Sequence, residues 1–400
     1  MIFVHAFFLV YQLFIYTLII NYFIYRMKNV ICVCLCLLLL GSCSDKQGEL
    51  GYPVLKVSLN EQDVSMKDLF SRLEVIPLET NDSSLLVFPD KVLCRNGRYE
   101  VFDHRRYALF LFDENGRFIR QVGRRGQGLG EYREVYDVAH DSRNGNICLL
   151  SPFWEMFVYD SEGRFLERLP LPEKSNYQAV MDYGDYFVTW TIPITDEEYG
   201  ISVISKDSLQ CVREYWHGNR NTMFLFPRGF YQFGDDLYFS RPFQREVYRM
   251  DLNGMQVAYR WDFGNDNYSI EDFGVSLKER GDREESDNIV KLLQESVIPY
   301  CIADNRQIGK YYYAMIVYGF TPIGRKHLFY RKSDGKSFFF RQTTEGVILN
   351  PMYFCDDFLL SLASYEDMEV YKHVLDEQEF AKLANRTEED NPFLVKCYFK

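Results

Sequence analysis

The sequence predicts an all-β protein: a six-bladed β-propeller with short helical insertions, preceded by a lipoprotein signal peptide. Three observations lead to this fold. Short strands and tight turns recur at intervals of about 40–50 residues, the spacing of propeller blades. Aromatic residues make up 17% of the chain, which suits the pleated surfaces of strands. Strand-like runs also lie near both chain ends, where a closing blade would need them.

The N-terminal 42 residues are interpreted as two segments that precede the mature protein. Residues 1–26 are an upstream extension, with translation starting at Met27. The apolar run 1–25 has no Lys or Arg, and a true transmembrane helix there is the alternative. Residues 27–42 have the basic start, apolar core and small final residues of an export signal.

The run Leu40-Gly41-Ser42-Cys43 closes the apolar core of that signal. An apolar segment followed by small residues and a cysteine is typical of a bacterial lipobox. It predicts that Cys43 becomes the first mature residue and attaches the protein to a membrane through lipid. Residues 43–50 are then a linker and residues 51–400 the propeller. The expected location is the cell envelope, as an outer-membrane lipoprotein on either the surface or the periplasmic side.

The net charge excludes classes of partner, and the spacing of the cysteines predicts the state of their thiols. The formal charge of −12 excludes nucleic acid and anionic lipid surfaces as expected partners, because an acidic chain repels their phosphates. Six of the ten cysteines lie beyond the N-terminal segments, far apart and without a Cys-x-x-Cys pair. This pattern predicts buried free thiols, although an exported chain could oxidise a pair.

The repeat is clearest in two consecutive units. Each has one strand, a polar break and a second strand ending in Asp-x-x-Gly-Arg-Phe, first at Asp113 and again 47 residues later at Asp160. Asp accepts hydrogen bonds within its own turn and Gly adopts positive φ, so this motif indicates a tight hairpin. Weaker copies are centred on 186–190, 237–240, 311–317 and 358–361.

The remaining segments are expected to close and decorate the ring. The strand-like runs 54–57 and 73–76 should pair with the C-terminal run 392–399 in a shared sixth blade, which leaves few exposed strand edges. Apolar residues at helical spacing predict amphipathic helices at 286–296 and 376–385. Each is too short to form its own core, so both are expected to be insertions between or within blades.

The chain resembles the six-bladed β-propeller lipoproteins of gut Bacteroidota, which are distant relatives of propellers with NHL-type repeats. The resemblance is carried by the lipobox, by the run from Phe112 to Tyr132, and by the ending Asn391-Pro-Phe-Leu. It covers about residues 50–400 and is strongest over 97–170. Leu129 stands where the family usually has Pro. The resemblance implies a fold and an envelope location, but no reaction.

The Gly-rich segment 123–132 is the main candidate site. It lacks the glycine spacing, the Lys-Ser/Thr pair and the strand–loop–helix context of a phosphate loop. In a propeller it would link the outer strand of one blade to the inner strand of the next. The alternative is ligand binding by Arg124, Arg125, Glu131 and Tyr132. A guanidinium fork would hold a carboxylate or sulfate, and Tyr132 would offer a stacking surface.

No motif identifies catalytic residues, a metal site or a cofactor. The histidines are scattered singly, and no Gly-x-Ser-x-Gly elbow occurs. Four tryptophans are either carbohydrate-stacking platforms or packing positions between blades: Trp154, Trp190, Trp216 and Trp261.

The predicted function is a lipid-anchored binding module for a glycan, a peptide or an envelope protein. The alternative is a hydrolase or lyase with its site at the mouth of the central channel. Converging carboxylates or histidines with shifted pKa values at that mouth would favour the enzyme, and an aromatic, uncharged mouth would favour binding.

Overall fold

The computed structural model describes residues 51–174, 176–192, 199–217, 229–275, 283–319 and 321–400. The chain divides into one unit of residues 1–53, of which 51–53 are described, and a second unit, Val54–Lys400. The predicted export signal, the lipid attachment at Cys43 and the alternative transmembrane helix lie outside the described residues. No helix within the described ranges is both long and apolar enough to cross a membrane.

The unit Val54–Lys400 is a six-bladed β-propeller, as the sequence predicts. Its N-terminal elements are β1 (Val54–Lys56), helix α1 (Met66–Leu69) and β2 (Phe70–Pro77). Blade 1 consists of β3 (Pro89–Arg95), β4 (Arg98–Asp103), β5 (Ala108–Phe112) and β6 (Phe118–Val122). Two short strands follow, β7 (Arg124–Arg125) and β8 (Glu131–Tyr132). Blade 2 consists of β9 (Asp137–His140), β10 (Ile147–Ser151), β11 (Glu155–Tyr159) and β12 (Phe165–Pro170).

Blade 3 consists of β13 (Tyr177–Tyr183), β14 (Tyr186–Thr191), β15 (Tyr199–Ser205) and β16 (Cys211–His217). Blade 4 consists of β17 (Phe230–Phe233), β18 (Asp236–Ser240), β19 (Glu246–Met250) and β20 (Met255–Asp262). Two 3₁₀ turns and helix α2 follow: Gly264–Asp266, Ile270–Phe273 and Arg283–Gln294.

Blade 5 consists of β21 (Cys301–Gln307), β22 (Tyr311–Val317), a 3₁₀ turn (Pro322–Gly324), β23 (Arg325–Arg331) and β24 (Ser337–Phe340). The last blade has β25 (Pro351–Phe354), β26 (Phe358–Ala363) and β27 (Phe393–Phe399). Between β26 and β27 lie a 3₁₀ turn (Tyr365–Asp367), α3 (Met368–Tyr371) and α4 (Glu377–Ala381). Within each blade we call the strands a to d from the centre outwards.

Blade 6 takes strands from both ends of the chain, which confirms the predicted closure. Its order is β25-β26-β27-β2, and β2 runs antiparallel to β27 from Phe70 opposite Phe399 to Pro77 opposite Phe393. The prediction is wrong for the first strand. β1 pairs in parallel with β20 on the outer edge of blade 4, so it covers that edge instead of entering the shared blade.

The repeated Asp-x-x-Gly motifs form the c–d turns, as predicted. Asp113 Oδ1 accepts backbone N–H groups two and four residues further on, at 2.8 and 2.9 Å. Asp160 makes the same pair of bonds. Gly116 has a φ of +79°, and a Cβ there would clash with the carbonyl of Pro77. Glycine therefore allows both the turn and its close packing on the outer strand of the preceding blade.

The core consists of apolar clusters between neighbouring blades. Between blades 1 and 2, for example, Phe102 and Leu109 pack with Val138 and Leu149, all fully buried. Both predicted helices are present with altered ends. Helix α2 begins three residues before the predicted segment, and α4, capped by Asp376, is shorter than predicted.

Candidate functional site

The six inner strands, β3, β9, β13, β17, β21 and β25, surround a central channel. Its cavity has a volume of about 660 Å³. The lining continues past the ends of these strands into the a–b turns, where Ser142, Gly234 and Asp356 contribute. The channel therefore has a mouth at the a–b end of the blades.

Charged side chains of blades 1 and 2 join the inner strands to each other. Lys91 Nζ lies 2.7 Å from Asp137 Oδ1 and 2.7 Å from the carbonyl oxygen of Val138. The other carboxylate oxygen of Asp137 accepts the N–H of Val180 at 2.9 Å. Three blades are thus connected through one buried ion pair, and its groups are satisfied internally.

The same arrangement recurs between blades 4, 5 and 6. The Arg306 guanidinium donates to the carbonyl oxygen of Phe230 at 3.0 Å and pairs with Asp304 at 3.1 Å. Asp356 Oδ1 accepts the N–H of Gly309 at 2.6 Å. These channel residues use their hydrogen bonds to hold neighbouring inner strands in place.

A buried lysine pairs with two carboxylates beside the mouth. Lys206, in the c–d turn of blade 3, has no exposed side-chain surface. Its Nζ lies 2.8 Å from Asp141 Oδ1 and also pairs with Asp182. Burial acts to raise the pKa of Asp141, but hydrogen bonds from Lys206 and Arg143 lower it overall. Asp141 is therefore held in its charged form.

Arg95 and Lys332 are cationic side chains near the mouth whose charged groups form no ion pair or hydrogen bond within the described ranges. Arg95, at the end of β3, lines the channel. Lys332, in the c–d turn of blade 5, has its Nζ 4.6 Å from the ring centroid of Phe233 and 4.8 Å from that of Tyr312. Burial lowers the pKa of Lys332 to about 8, against the opposing effect of Asp356.

The mouth therefore matches neither simple alternative. It is aromatic but charged: the cations Arg95 and Lys332 lie at the same end of the blades as the exposed carboxylates of Asp185 and Asp235 in the a–b turns. His140 lines the channel, but its Nε2 lies 2.9 Å from the buried Glu100 Oε2, within the wall. The arrangement can bind an anionic group next to an aromatic surface.

The Gly-rich segment links β6 to β9, which confirms its predicted place between blades 1 and 2. Arg124 Nε lies 2.5 Å from Glu131 Oε1, and Glu131 Oε2 accepts the N–H of Gly128 at 2.8 Å. The Gly128 N–H and the Arg124 side chain lower the pKa of Glu131. Arg124 and Glu131 thus close this loop on itself.

Tyr132 is buried, and its hydroxyl donates to the carbonyl oxygen of Tyr107 at 2.7 Å. The predicted stacking surface at Tyr132 is therefore wrong, because its ring belongs to the core between blades 1 and 2. Arg125 is exposed, with its guanidinium 5.7 Å from the Tyr107 ring centroid. Neither Arg124, Arg125, Glu131 nor Tyr132 lines the described channel. Ligand binding by Arg124, Arg125 and Glu131 stays a prediction.

The four tryptophans divide by burial. Trp190 and Trp261 are buried between blades, as the packing interpretation predicts, and Trp216 is half-buried. Trp154, in the b–c turn of blade 2, is 45% exposed and has a φ of +64°. Among these four it is the one with a large free surface.

Thiols and acidic groups form no further site in the described part of the chain. The six cysteines there are all free. No group of three or more His, Cys, Asp or Glu side chains is placed to hold a metal ion within the described residues.

The sequence reasoning did not recognise the inner strands as a recurring element. They mix charged and apolar residues, as in Lys91 to Arg95, because they pack against neighbouring blades and also meet the channel. One signal was available. In five blades two or three residues separate the end of a short run from a recognised strand b, as between Arg95 and Arg98.

Two crystal structures of Bacteroides proteins share this fold. A protein of Bacteroides fragilis NCTC 9343, described as exported, has a TM-score of 0.71 and 18% identity over 87% of this chain and 99% of its own. A DUF4221 family member from Bacteroides vulgatus ATCC 8482 has a TM-score of 0.52 and 11% identity over 85% and 99%. At these identities the likeness concerns the fold alone.

Sequence comparison gives one positive result. No curated protein matches the chain. The profile of a family described as "Domain of unknown function (DUF4934)" matches residues 53–398, nearly the whole propeller.

Proposed function

Because the chain belongs to the DUF4934 family, whose profile spans the propeller, we propose a function from the geometry of that propeller: a lipid-anchored binding module of the cell envelope. Its ligand enters the a–b mouth of the central channel. The observation that carries this proposal is the cavity of about 660 Å³, walled by all six inner strands. Concave sites with aromatic walls and a few polar groups are the usual form of ligand sites.

The ligand carries a carboxylate next to an apolar or ring-shaped group. Although the chain has a net charge of −12 and exposed acids such as Asp235 lie at this end, Arg95 and Lys332 offer cations that form no ion pair within the described residues. A guanidinium binds carboxylates through two parallel hydrogen bonds. Phe233 of blade 4 and Tyr353 of blade 6 line the same channel. Such a carboxylate occurs at the C-terminus of a peptide or partner protein and on acidic glycans.

Binding is favoured over hydrolysis or lyase chemistry by how the channel uses its acids. Asp137 and Asp356 accept backbone N–H groups of neighbouring blades, and Asp182 pairs with buried Lys206. General acid–base catalysis needs a group that is free to exchange a proton with a substrate. These carboxylates instead hold the wall together.

The proposed location depends on the sequence around Cys43. The lipobox ending at Cys43 supports export and lipid attachment, on either side of an outer membrane. Mass spectrometry of the protein from native membranes should find an N-terminal peptide that begins with lipid-modified Cys43. A mature protein that keeps residues 1–42 would contradict this attachment.

The ligand proposal is tested by binding. We expect a screen of peptides with free C-termini and of acidic glycans to find ligands that raise the melting temperature of the protein. Arg95→Gln should weaken their binding tenfold or more, since a hydrogen bond to a charged group contributes about 1.5–3 kcal/mol. Calorimetric titration of wild type and variant measures the change.

Arg117→Gln is the matched control. Arg117 is an exposed arginine of the same blade, in a c–d turn, and does not line the channel. Equal losses in both variants would show a general charge effect and overturn the channel site. C-terminal amidation of a peptide ligand should reproduce the loss seen in Arg95→Gln, and reduction of the glycan carboxylates should do so for a glycan.

A further inference from the structure

Exposed apolar side chains gather at one end of the blades. Of the thirteen exposed large hydrophobic residues in the described ranges, ten lie in b–c turns or in segments that lead into an inner strand. The other three lie on outer strands. Within each sheet the b–c turn and the start of strand a share an edge, as Asp103 opposite Pro89 shows. The channel mouth lies at the opposite edge, where the a–b turns are.

In blades 1 and 2 this end carries what we call the arginine–aromatic patch: Phe88, Arg105, Arg106, Arg133, Phe153 and Trp154. Contacts link Phe88 to neighbouring residues and Arg133 to Phe153. The Phe88 carbonyl oxygen accepts the His104 N–H at 3.1 Å, and the His104 ring lies 5.5 Å from that of Tyr136. The Arg133 guanidinium lies 4.9 Å from the Phe153 ring centroid.

The exposed charge of the patch is positive within an acidic protein. Arg105 and Arg133 are exposed, and Arg106 is half-buried. The acid in the same turn, Asp103, is fully buried and accepts the N–H groups of Val87, Phe88, Arg105 and Arg106. Its carboxylate is therefore directed inwards, which leaves the arginines as the exposed charges of this turn in an otherwise acidic chain.

Trp154 is held at this surface by its backbone and by one hydrogen bond. Its indole N–H donates to the carbonyl oxygen of Lys174. Its φ of +64° is a strained conformation for an aromatic residue, and such strain is concentrated at functional positions. Tryptophan with one polar edge and one apolar face is characteristic of the boundary between membrane and water.

We propose that the arginine–aromatic patch rests on the lipid surface to which Cys43 attaches the protein. Phe88, Phe153 and Trp154 enter the headgroup region, and the arginines meet anionic headgroups while their stems cover apolar surface. Eleven residue steps separate Cys43 from Val54, which limits the tether to about 40 Å. The channel mouth, at the other end of the blades, then opens towards water.

This proposal rests on the proposed lipid attachment, but not on the nature of the channel ligand. The test uses the lipidated protein, purified from membranes and reconstituted in vesicles of phosphatidylethanolamine and phosphatidylglycerol with brominated acyl chains. Bromine quenches tryptophan fluorescence at short range. We expect a loss of emission in wild type that Trp154→Phe abolishes, because the other three tryptophans are buried or half-buried.

Val212→Trp in the Trp154→Phe background is the matched control. Val212 is 49% exposed on the outer strand of blade 3, close to the 45% of Trp154, but lies away from the patch. The emission of the tryptophan introduced there should survive. Arg105→Gln with Arg133→Gln, or vesicles of phosphatidylcholine alone, should reduce the quenching of Trp154. Unchanged thermal unfolding of each variant verifies that it folds.

The outcomes separate this proposal from the lipid attachment. Protein that floats with the vesicles while Trp154 is quenched no more than the tryptophan introduced by Val212→Trp would overturn the docking and leave the anchor intact. Protein that fails to float would overturn both. If polygalacturonate in solution shields Trp154 from iodide while the lipids do not quench it, the patch binds an acidic glycan, and docking on lipid is wrong.

Discussion

Individual side chains show how the propeller keeps ionisable groups in its interior. Lys206 lies between two carboxylates, and removing it would leave Asp182 without an ion pair and Asp141 with Arg143 alone. His327, in β23, is instead kept neutral by burial. It is fully buried, with Nδ1 3.0 Å from the Tyr313 hydroxyl. Burial lowers the pKa of His327 to about 4, so the ring is neutral in the folded protein.

We therefore predict a fall in stability as the pH drops from about 6.5 towards 4. The unfolded chain protonates His327 near its ordinary pKa of 6.5, whereas the folded protein does so only near 4. The stabilisation that depends on neutral His327 is fully present above pH 6.5 and is lost as the pH falls to about 4. It amounts to about 3 kcal/mol, because each unit of difference between the two pKa values corresponds to about 1.4 kcal/mol. Urea unfolding across this pH range measures it.

His327→Phe should flatten this part of the profile, since phenylalanine cannot bind a proton. His373→Gln, at an exposed histidine, should retain the wild-type slope. A profile for His327→Phe as steep as that of wild type would assign the acid sensitivity to other groups.

At the scale of elements, the inserted helices protect strand edges. The outer edge of β2 would expose free backbone groups, but the Val75 N–H donates to Glu379 at 2.6 Å and its carbonyl accepts from Lys382 at 3.3 Å. Both side chains come from α4 and the residues just after it. β1 likewise covers the outer edge of blade 4, by pairing with β20. Covered edges reduce the risk of pairing with other chains.

The connection between the two chain ends depends on Asn391, which is buried just before β27. It accepts the Leu86 N–H at 2.7 Å and donates to the carbonyls of Glu79 and Ser84 at 2.7 and 2.9 Å. Asn391→Ala should lower the free energy of unfolding by about 3 kcal/mol or more, because three buried backbone groups lose their partner. Urea unfolding provides the measurement.

Asn385→Ala is the control for that substitution. Asn385 is exposed in the same insertion and should change stability by about 0.5 kcal/mol at most. A loss of similar size in both variants would mean that the insertion, and not the side chain of Asn391, stabilises the junction.

For the whole molecule, the ring is closed by the pairing of β2 with β27. Leu73 lies opposite Cys397, so the contact joins positions 324 residues apart (397 minus 73). Opening this contact would expose the outer half of blade 6 and the clusters it packs against. We therefore expect the propeller to unfold as one cooperative unit, and we expect unfolding to follow the loss of the β2–β27 pairing.

Leu73→Cys tests the closure directly. The new thiol faces Cys397 across the strands and should form a disulfide under oxidising conditions. A crosslink over so long a loop stabilises by up to about 5 kcal/mol. The melting temperature should be higher without reductant than with it. Ser71→Cys, next to the register irregularity between Phe70 and Arg72, should form no crosslink with Cys397 and show no such difference. Equal melting with and without reductant in a crosslinked Leu73→Cys protein would contradict a controlling role for this junction.

Much of the fold could be predicted from the sequence because the motifs that indicate its turns and strands are local. The Asp-x-x-Gly turns at Asp113 and Asp160 bond within a few residues, so the motif alone predicts the hairpin. β1 was misplaced because no local signal distinguishes a strand that pairs with the last blade from one that pairs with the fourth. Tyr132 was misjudged because its burial depends on Phe157, which packs on its ring from the next blade.

The sequence by itself determined the number of blades, their c–d turns and the use of both chain ends in closure, because each follows from a repeated short pattern. The tertiary structure alone decided the candidate site. Lys332 and Phe233 come from neighbouring blades and meet only in the folded ring, and Phe233 shares the channel with Arg95 of blade 1. The pairing of charges was decided there as well, since Asp141 and Asp182 lie in different blades and meet Lys206 only in the folded ring.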